Sequence, residues 1–208
     1  MQGICVKNGL VKSVFVGSAL VDMCAKCGDI SGSCLVFDEM PEKNVISWTA
    51  IITGLVKTGH CKEGLMYFSE MWSSGLHCDT YSFAIALKAC ADSLHLKCGK
   101  EIHTQAIKKG FVSSSYVANT IATMYNKCGK LDYGMYLFGL IKTRDVVRWT
   151  SLITSYVQMG KEDIAVQQFL RLRGSEVKPN EYTFAAVITA CAHLNKAIWG
   201  EQLHAHIN

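Results

Sequence analysis

Apolar residues along this chain step at helical rather than strand spacing. Val45, Trp48, Ile51, Ile52, Leu55 and Val56 fall at i, i+3, i+6, i+7, i+10 and i+11, one face of an α-helix. Trp149, Leu152, Ile153, Tyr156 and Val157 repeat that stripe further along. Gly59 and Gly160 follow the two stripes and supply the left-handed or tight geometry that ends a helix. A second helix is predicted after each, burying Leu65, Phe68 and Met71 in one case and Ala165, Phe169 and Leu172 in the other. Gly28 and Gly129 mark the same inter-helix turn in another pair of segments. A third kind of segment keeps the stripe, with Phe83, Leu87, Cys90 and Ala91 at 0, +4, +7 and +8, but has no glycine at its turn. Pro41, Gly75, Gly110 and Pro179 break the chain between helix pairs. The prediction is an all-α protein.

The stripes belong to a longer period. Residues 1–107 align with 102–208 without a gap at an offset of 101, with 27 of 107 pairs identical. Trp48-Thr49 returns as Trp149-Thr150, Lys26-Cys27-Gly28 as Lys127-Cys128-Gly129, and Ala89-Cys90-Ala91 as Ala190-Cys191-Ala192. Such a period marks stacked units that bury their apolar faces on one another, so the expected architecture is a superhelix of helix pairs. The period divides into units at 14–44, 45–79 and 80–114, then 115–145, 146–180 and a truncated 181–208, with 1–13 the end of an earlier unit. Residue 1 thus falls inside a repeat, and the chain reads as an internal fragment of one longer array.

Composition changes this picture little. Half the residues are hydrophobic and 18% are charged, which suits a packed array. The net charge of +4 permits phosphate contact without demanding it. The longest uncharged stretch, Gly110–Asn126, is too short and too rich in Ser, Thr and Asn to span a bilayer, so no membrane partner is expected. Ten cysteines raise the question of disulfides or metal. Cys24-x-x-Cys27 returns as Tyr125-x-x-Cys128 with no partner motif, so no metal or other cofactor is expected and the thiols should be reduced. The recurring Cys27/Cys128 and Cys90/Cys191 read as small buried packing residues.

The wording of the units resembles the pentatricopeptide repeat family. Residues 45–79 and 146–180 look like its 35-residue P units. Residues 14–44 look like the short S unit, down to AKCGDI and VFDEMPEKNV, and 80–114 like the L unit with its ACA and IH pattern. The order S-P-L-S-P-L implies the plant PLS subclass. With it come a right-handed α-solenoid superhelix and single-stranded RNA as partner. The resemblance also implies a role in organellar RNA editing or processing, with editing or processing factors as further partners. The organelle is a mitochondrion or chloroplast, its targeting segment lying outside this chain.

The resemblance assigns base reading to the fifth and last residues of each S or P unit. These are Ser18 with Asn44, Thr49 with Asp79, Asn119 with Asp145, and Thr150 with Asn180. By the family's pattern they imply A, G, U and A. The chemistry stands on its own terms: ionised Asp79 only accepts, suiting guanine's donors, whereas Asn180 both donates and accepts, suiting adenine. The second residue of each unit, Phe15, Ile46, Tyr81, Tyr116, Val147 or Tyr182, resembles the position that sandwiches a base. In the L units Ala84 (with Ser114) and Ala185 cannot match a base edge and read as spacers. Against each pair stands a plain alternative: Thr or Asn at a helix start is often a cap, and Asp or Asn between helices a turn residue. Four pairs in phase favour reading over capping.

Other classes rank lower. His103 and His204 recur inside predicted second helices with no acid or cysteine in step, and His204-x-His206 points to different faces. No acid, base, nucleophile or metal cluster converges, so an enzyme is the least supported class. A protein-interaction scaffold is the alternative to RNA binding, because stacked helix pairs also form peptide grooves.

Overall fold

The computed structural model describes residues 13–140 and 146–194, and among them there are eleven α-helices, one short 3-10 turn and no strand. The helices are α1 (Val14–Lys26), α2 (Ile30–Glu39), α3 (Val45–Lys57), α4 (Cys61–Ser73), α5 (Thr80–Asp92) and α6 (Leu96–Lys108). The 3-10 turn Phe111–Ser113 leads to α7 (Ser115–Lys127), α8 (Leu131–Leu140), α9 (Val146–Gln158), α10 (Glu162–Arg173) and α11 (Glu181–His193). None of these helices is long and apolar enough to cross a membrane. The chain divides into two compact bodies, one up to Val117 and one from Ala118.

Local chemistry sets the helix ends. Asn44, Asp79 and Asn180 sit in extended backbone and cap α3, α5 and α11 by accepting the N–H of the third helical residue. The turns within helix pairs use one left-handed residue: Gly28, Gly59, Gly129 and Gly160 have φ between +64° and +86°. The third unit reaches the same geometry without glycine. Leu94 takes φ +55°, and His95 N–H bonds Cys90 O at 2.8 Å just as His60 N–H bonds Leu55 O at 2.8 Å.

In the first body α1 packs on α3 and α3 on α5, while α2, α4 and α6 each pack on the helix before them. α2 also touches α3, and α4 touches α5. This places every second helix against its own partner and, for α2 and α4, the next first helix, the contact that a single pair lacks. The α1–α3 approach is close: a Cβ on Gly54 would overlap the Ala25 methyl. Phe83 is fully buried and meets the rings of Phe68, Trp72 and Phe111 edge-on at 5.1–5.6 Å. Phe37 and Trp48 make a similar contact at 4.7 Å.

In the second body α9 packs on α10 and α11, and α10 on α11. Its core joins Phe138, Leu152, Ile153, Tyr156, Phe169, Leu172 and Val187. Buried side chains of this size contribute roughly 1.5–3 kcal/mol each, an upper range for area removed from water. One expectation needs correction. Cys90 and Cys191 are buried packing residues as expected, but Cys27 is exposed and Cys128 only half-buried. Cys27 is the C-cap residue of α1, so it recurs with the turn rather than with the core.

Candidate nucleic-acid interface

The second residues of all six units stand at helix starts with their side chains in solvent. Phe15 is 84% exposed and Tyr182 68%, and Ile46, Tyr81, Tyr116 and Val147 are exposed as well. A single exposed apolar side chain is ordinary. The same register position exposed in α1, α3, α5, α7, α9 and α11 is not explained by core packing.

The fifth residues lie one turn further along each first helix. Ser18 Oγ donates to Val14 O at 2.7 Å, Thr49 Oγ1 to Val45 O at 2.6 Å, and Thr150 Oγ1 to Val146 O at 2.7 Å. Ser18 is largely covered, whereas Thr49 and Thr150 are half-buried. A hydroxyl has one proton, and in each case it turns back into the helix or toward a buried partner. The oxygen lone pairs are what remains for a ligand.

Their partners from the ends of the units are helix caps, so the plain alternative is physically present. Asn44 Oδ1 accepts from Ser47 N at 2.9 Å and from Ser18 Oγ at 3.4 Å. Asp79 Oδ1 accepts from Ser82 N at 2.8 Å and Ser82 Oγ at 2.7 Å. Asn180 Oδ1 accepts from Thr183 N at 2.9 Å, Thr183 Oγ1 at 2.8 Å and Thr150 Oγ1 at 3.4 Å. Capping engages one terminal atom and leaves the other. The Nδ2 donors of Asn44 and Asn180 and the Oδ2 acceptor of Asp79 have no partner among the described residues. The Asn180 oxygen is held by the helix start, and the atom left without a partner on that side chain among the described residues is its Nδ2 donor.

The fourth pair is only half visible. Asn119 is 8% exposed and its Oδ1 is buried without a partner, while Asp145 lies outside the described residues. In the L units Ala84 is buried in α5, Ser114 is half-buried in extended backbone, and Ala185 is exposed on α11.

Each body gathers these positions in a cleft. In the first, about 550 Å³ is lined by Phe15, Ser18, Asn44, Ile46, Thr49 and Tyr81, with Asp22, Thr53, Lys26 and Lys57 along it. In the second, about 450 Å³ is lined by Val147, Thr150, Asn180 and Tyr182, with Thr123, Thr154 and Lys127 alongside. Lys26 is neutralised by Asp22 at 2.7 Å, whereas Lys57 has no ion pair among the described residues. The sequence reading passed over these lysines. The signal was available: Lys26, Lys57 and Lys127 all occupy the thirteenth place of a unit. A cation about two turns from the fifth residue of its helix suits a phosphate.

Titratable groups elsewhere are packing residues. His103 is buried in α6, and burial pushes its imidazole pKa down. Cys98 is drawn to about 7, chiefly by its hydrogen bond with Cys90. His204 and His206 lie outside the described residues. Among the described residues no three His, Cys, Asp or Glu side chains cluster as a metal site would require.

Comparison with known proteins places this arrangement. A PPR repeat model matches residues 18–45, a PPR repeat family model 43–92, and a pentatricopeptide repeat domain model 141–193, together well over half of the chain. A pentatricopeptide repeat-containing protein of Arabidopsis thaliana is 53% identical over 207 residues, covering all of this chain and 29% of the relative. Another, named chloroplastic, is 36% identical over 92% of this chain and 24% of its own length. A third, named mitochondrial, is 34% identical over 97% of this chain and 32% of its own. The chain therefore spans about a third or less of these relatives. Among solved structures, the pentatricopeptide repeat protein PPR10 in complex with an 18-nt psaJ RNA element superposes with a TM-score of 0.73. It is 18% identical, over 96% of this chain and 30% of that one, a likeness of fold.

Proposed function

This chain belongs to the pentatricopeptide repeat family, and from that premise we propose that it binds single-stranded RNA and selects its sequence one base per S or P unit. The observation that carries the reading is the pair of free atoms at three of the four reading positions. Thr49 and Asp79 present two acceptors, the complement of guanine's N1–H and N2–H. Thr150 and Asn180 present an acceptor and a donor, the complement of adenine's N6–H and N1, and Ser18 with Asn44 does the same. Asn119 with Asp145 takes uracil by the family's pattern. The exposed second residues hold each base by stacking or apolar contact, an aromatic contributing roughly 1–3 kcal/mol. Lys57 is placed for the phosphates.

The array is of the PLS subclass, runs from the S unit at 14–44 to the partial L unit at 181–208, and does no chemistry itself. Relatives named chloroplastic and mitochondrial support an organelle as its site; RNA editing or processing is the task the proposal gives it there. The solved complex of PPR10 with RNA supports the same partner class.

Titration of the 208-residue chain against 5′-A-G-x-U-A-3′, with x facing the L unit, tests the reading. Weak but selective binding that falls steeply with salt is expected, because phosphate contacts release counterions. Equal binding to a scrambled oligonucleotide of the same composition would refute the register. Absence of any RNA binding at low salt would leave a peptide-binding scaffold in its place.

A further inference from the structure

Each cap is held by a second residue that the base-reading scheme does not include. The third residue of the unit that follows is Ser47, Ser82 or Thr183, each fully buried. Ser47 Oγ works on the Asn44 backbone, donating to its O at 2.9 Å and accepting from its N at 3.0 Å. Ser82 and Thr183 reach the side chain, at 2.7 Å from Asp79 Oδ1 and 2.8 Å from Asn180 Oδ1, and Thr183 Oγ1 also accepts from Asn180 N at 3.3 Å. Thr183 Oγ1 also meets Thr150 Oγ1 at 2.6 Å, so one buried hydroxyl touches both members of a reading pair. At the remaining place stands Arg148, whose guanidinium lies 5.9 Å from the Trp149 ring centre.

We infer that the Thr183 hydroxyl is a positioning residue for base selection: it fixes which end of the Asn180 carboxamide faces the ligand. The inference rests on the reading of Asn180 as a base-facing residue. A carboxamide has two chemically different ends, and rotating it by half a turn exchanges a donor for an acceptor. Two donors converge on Asn180 Oδ1 from Thr183, the backbone N–H at 2.9 Å and the hydroxyl at 2.8 Å. The backbone N–H disfavours the turned amide, which would set NH2 against it, and the hydroxyl does the same when its oxygen accepts from Thr150 and its proton is directed at Asn180. Thr150 has one proton and two acceptors in reach, Val146 O at 2.7 Å and Thr183 Oγ1 at 2.6 Å; when it goes to Thr183, a chain runs from Thr150 Oγ1–H to Thr183 Oγ1–H to Asn180 Oδ1. That chain keeps the Thr150 lone pairs facing outward and the Asn180 NH2 free. The hydroxyl therefore selects the acceptor–donor pattern that matches adenine.

Asp79 obeys different logic. Its two oxygens are equivalent acceptors, so turning the carboxylate changes nothing that a base can sense. Ser82 therefore holds a cap without setting a preference, although its backbone N–H and hydroxyl reach the cap oxygen as those of Thr183 do. The two hydroxyls predict opposite outcomes.

The test titrates the chain and its Thr183→Val, Thr183→Ser and Ser82→Ala variants against RNA oligonucleotides differing only at one facing base. For Thr183→Val the A:G ratio at the Thr150–Asn180 base should fall about five-fold, the equivalent of one neutral hydrogen bond. Thr183→Ser restores the hydroxyl and should restore the ratio. Ser82→Ala should leave the G:A ratio at the Thr49–Asp79 base within about two-fold. Should Thr183→Val fail to fold by circular dichroism, Thr183→Ala, which keeps the backbone N–H, makes the same comparison. A Thr183→Val protein that loses affinity for A and G alike, or keeps its A:G ratio, overturns the inference. An Asn180→Asp arm separates the two levels. A shift from A to G there with no effect of Thr183→Val sinks the positioning role alone. No shift there sinks base reading and this inference together.

Discussion

Phe83 and Phe184 occupy the same place in the two copies of the period, yet the structure treats them differently. Phe83 is fully buried against three aromatic rings, whereas Phe184 is half-buried and meets one, Phe169 at 5.6 Å, among the described residues. The cause is in the neighbours. Trp72 in the first copy is replaced by Arg173 in the second. A residue's place in the unit sets where it points, and the adjoining unit sets how much it contributes. Phe83→Ala should therefore cost about 3–5 kcal/mol in urea unfolding, while Phe184→Ala should cost less than half as much. Equal losses would mean that the units are stabilised internally rather than by stacking.

A second contrast concerns polar groups. Ala25 in α1 becomes Asn126 in α7, fully buried with neither Oδ1 nor Nδ2 bonded to a partner among the described residues. An unmatched buried amide costs roughly 1–3 kcal/mol, more than its few packing contacts return. Asn126→Ala, which copies the first unit, should raise stability by about 1 kcal/mol, measured as a higher urea midpoint at constant slope. A lower midpoint would show that the amide has partners in solution.

The turns give the smallest contrast. Leu94 adopts φ +55° where the other described pairs place glycine. A left-handed non-glycine residue costs roughly 1–2 kcal/mol, and glycine gives back part of that through the greater freedom of its unfolded chain. Leu94→Gly should therefore stabilise by about 0.5–1 kcal/mol, and Gly59→Leu should destabilise by a similar amount. A neutral Leu94→Gly would show that the exposed leucine side chain makes up for its backbone.

These contrasts show what the sequence made legible. Helix starts, the glycine turns and the apolar stripes could be read because they rest on local chemistry that repeats every unit. The second residues were singled out by the resemblance alone, and that they stand in solvent is a finding of the structure. The role of the caps was only half legible. Asn44, Asp79 and Asn180 could be seen either as caps or as base readers, and the structure shows capping through one atom with the other left free. That division depends on side-chain rotation, which no spacing records. Thr183 was missed because a buried hydroxyl within an apolar stripe looks like filler until its two partners are placed around it. Leu94 was anticipated as a turn without glycine, but not as a left-handed residue.

The central claim is that the free atoms of the caps choose the base, and a reciprocal exchange tests it most directly. Asn180→Asp makes the second P unit's pair match the first, and Asp79→Asn makes the first match the second. The account predicts that Asn180→Asp moves its facing base from A to G and Asp79→Asn moves its own from G to A. Each exchange should shift the A:G ratio by about one to two orders of magnitude, since each leaves a mismatched edge facing the cap. Both residues cap helices equally well in either form, so folding is a matched control. Two folded, RNA-binding proteins whose A:G ratios do not move would show that Asn180 and Asp79 are caps and nothing more.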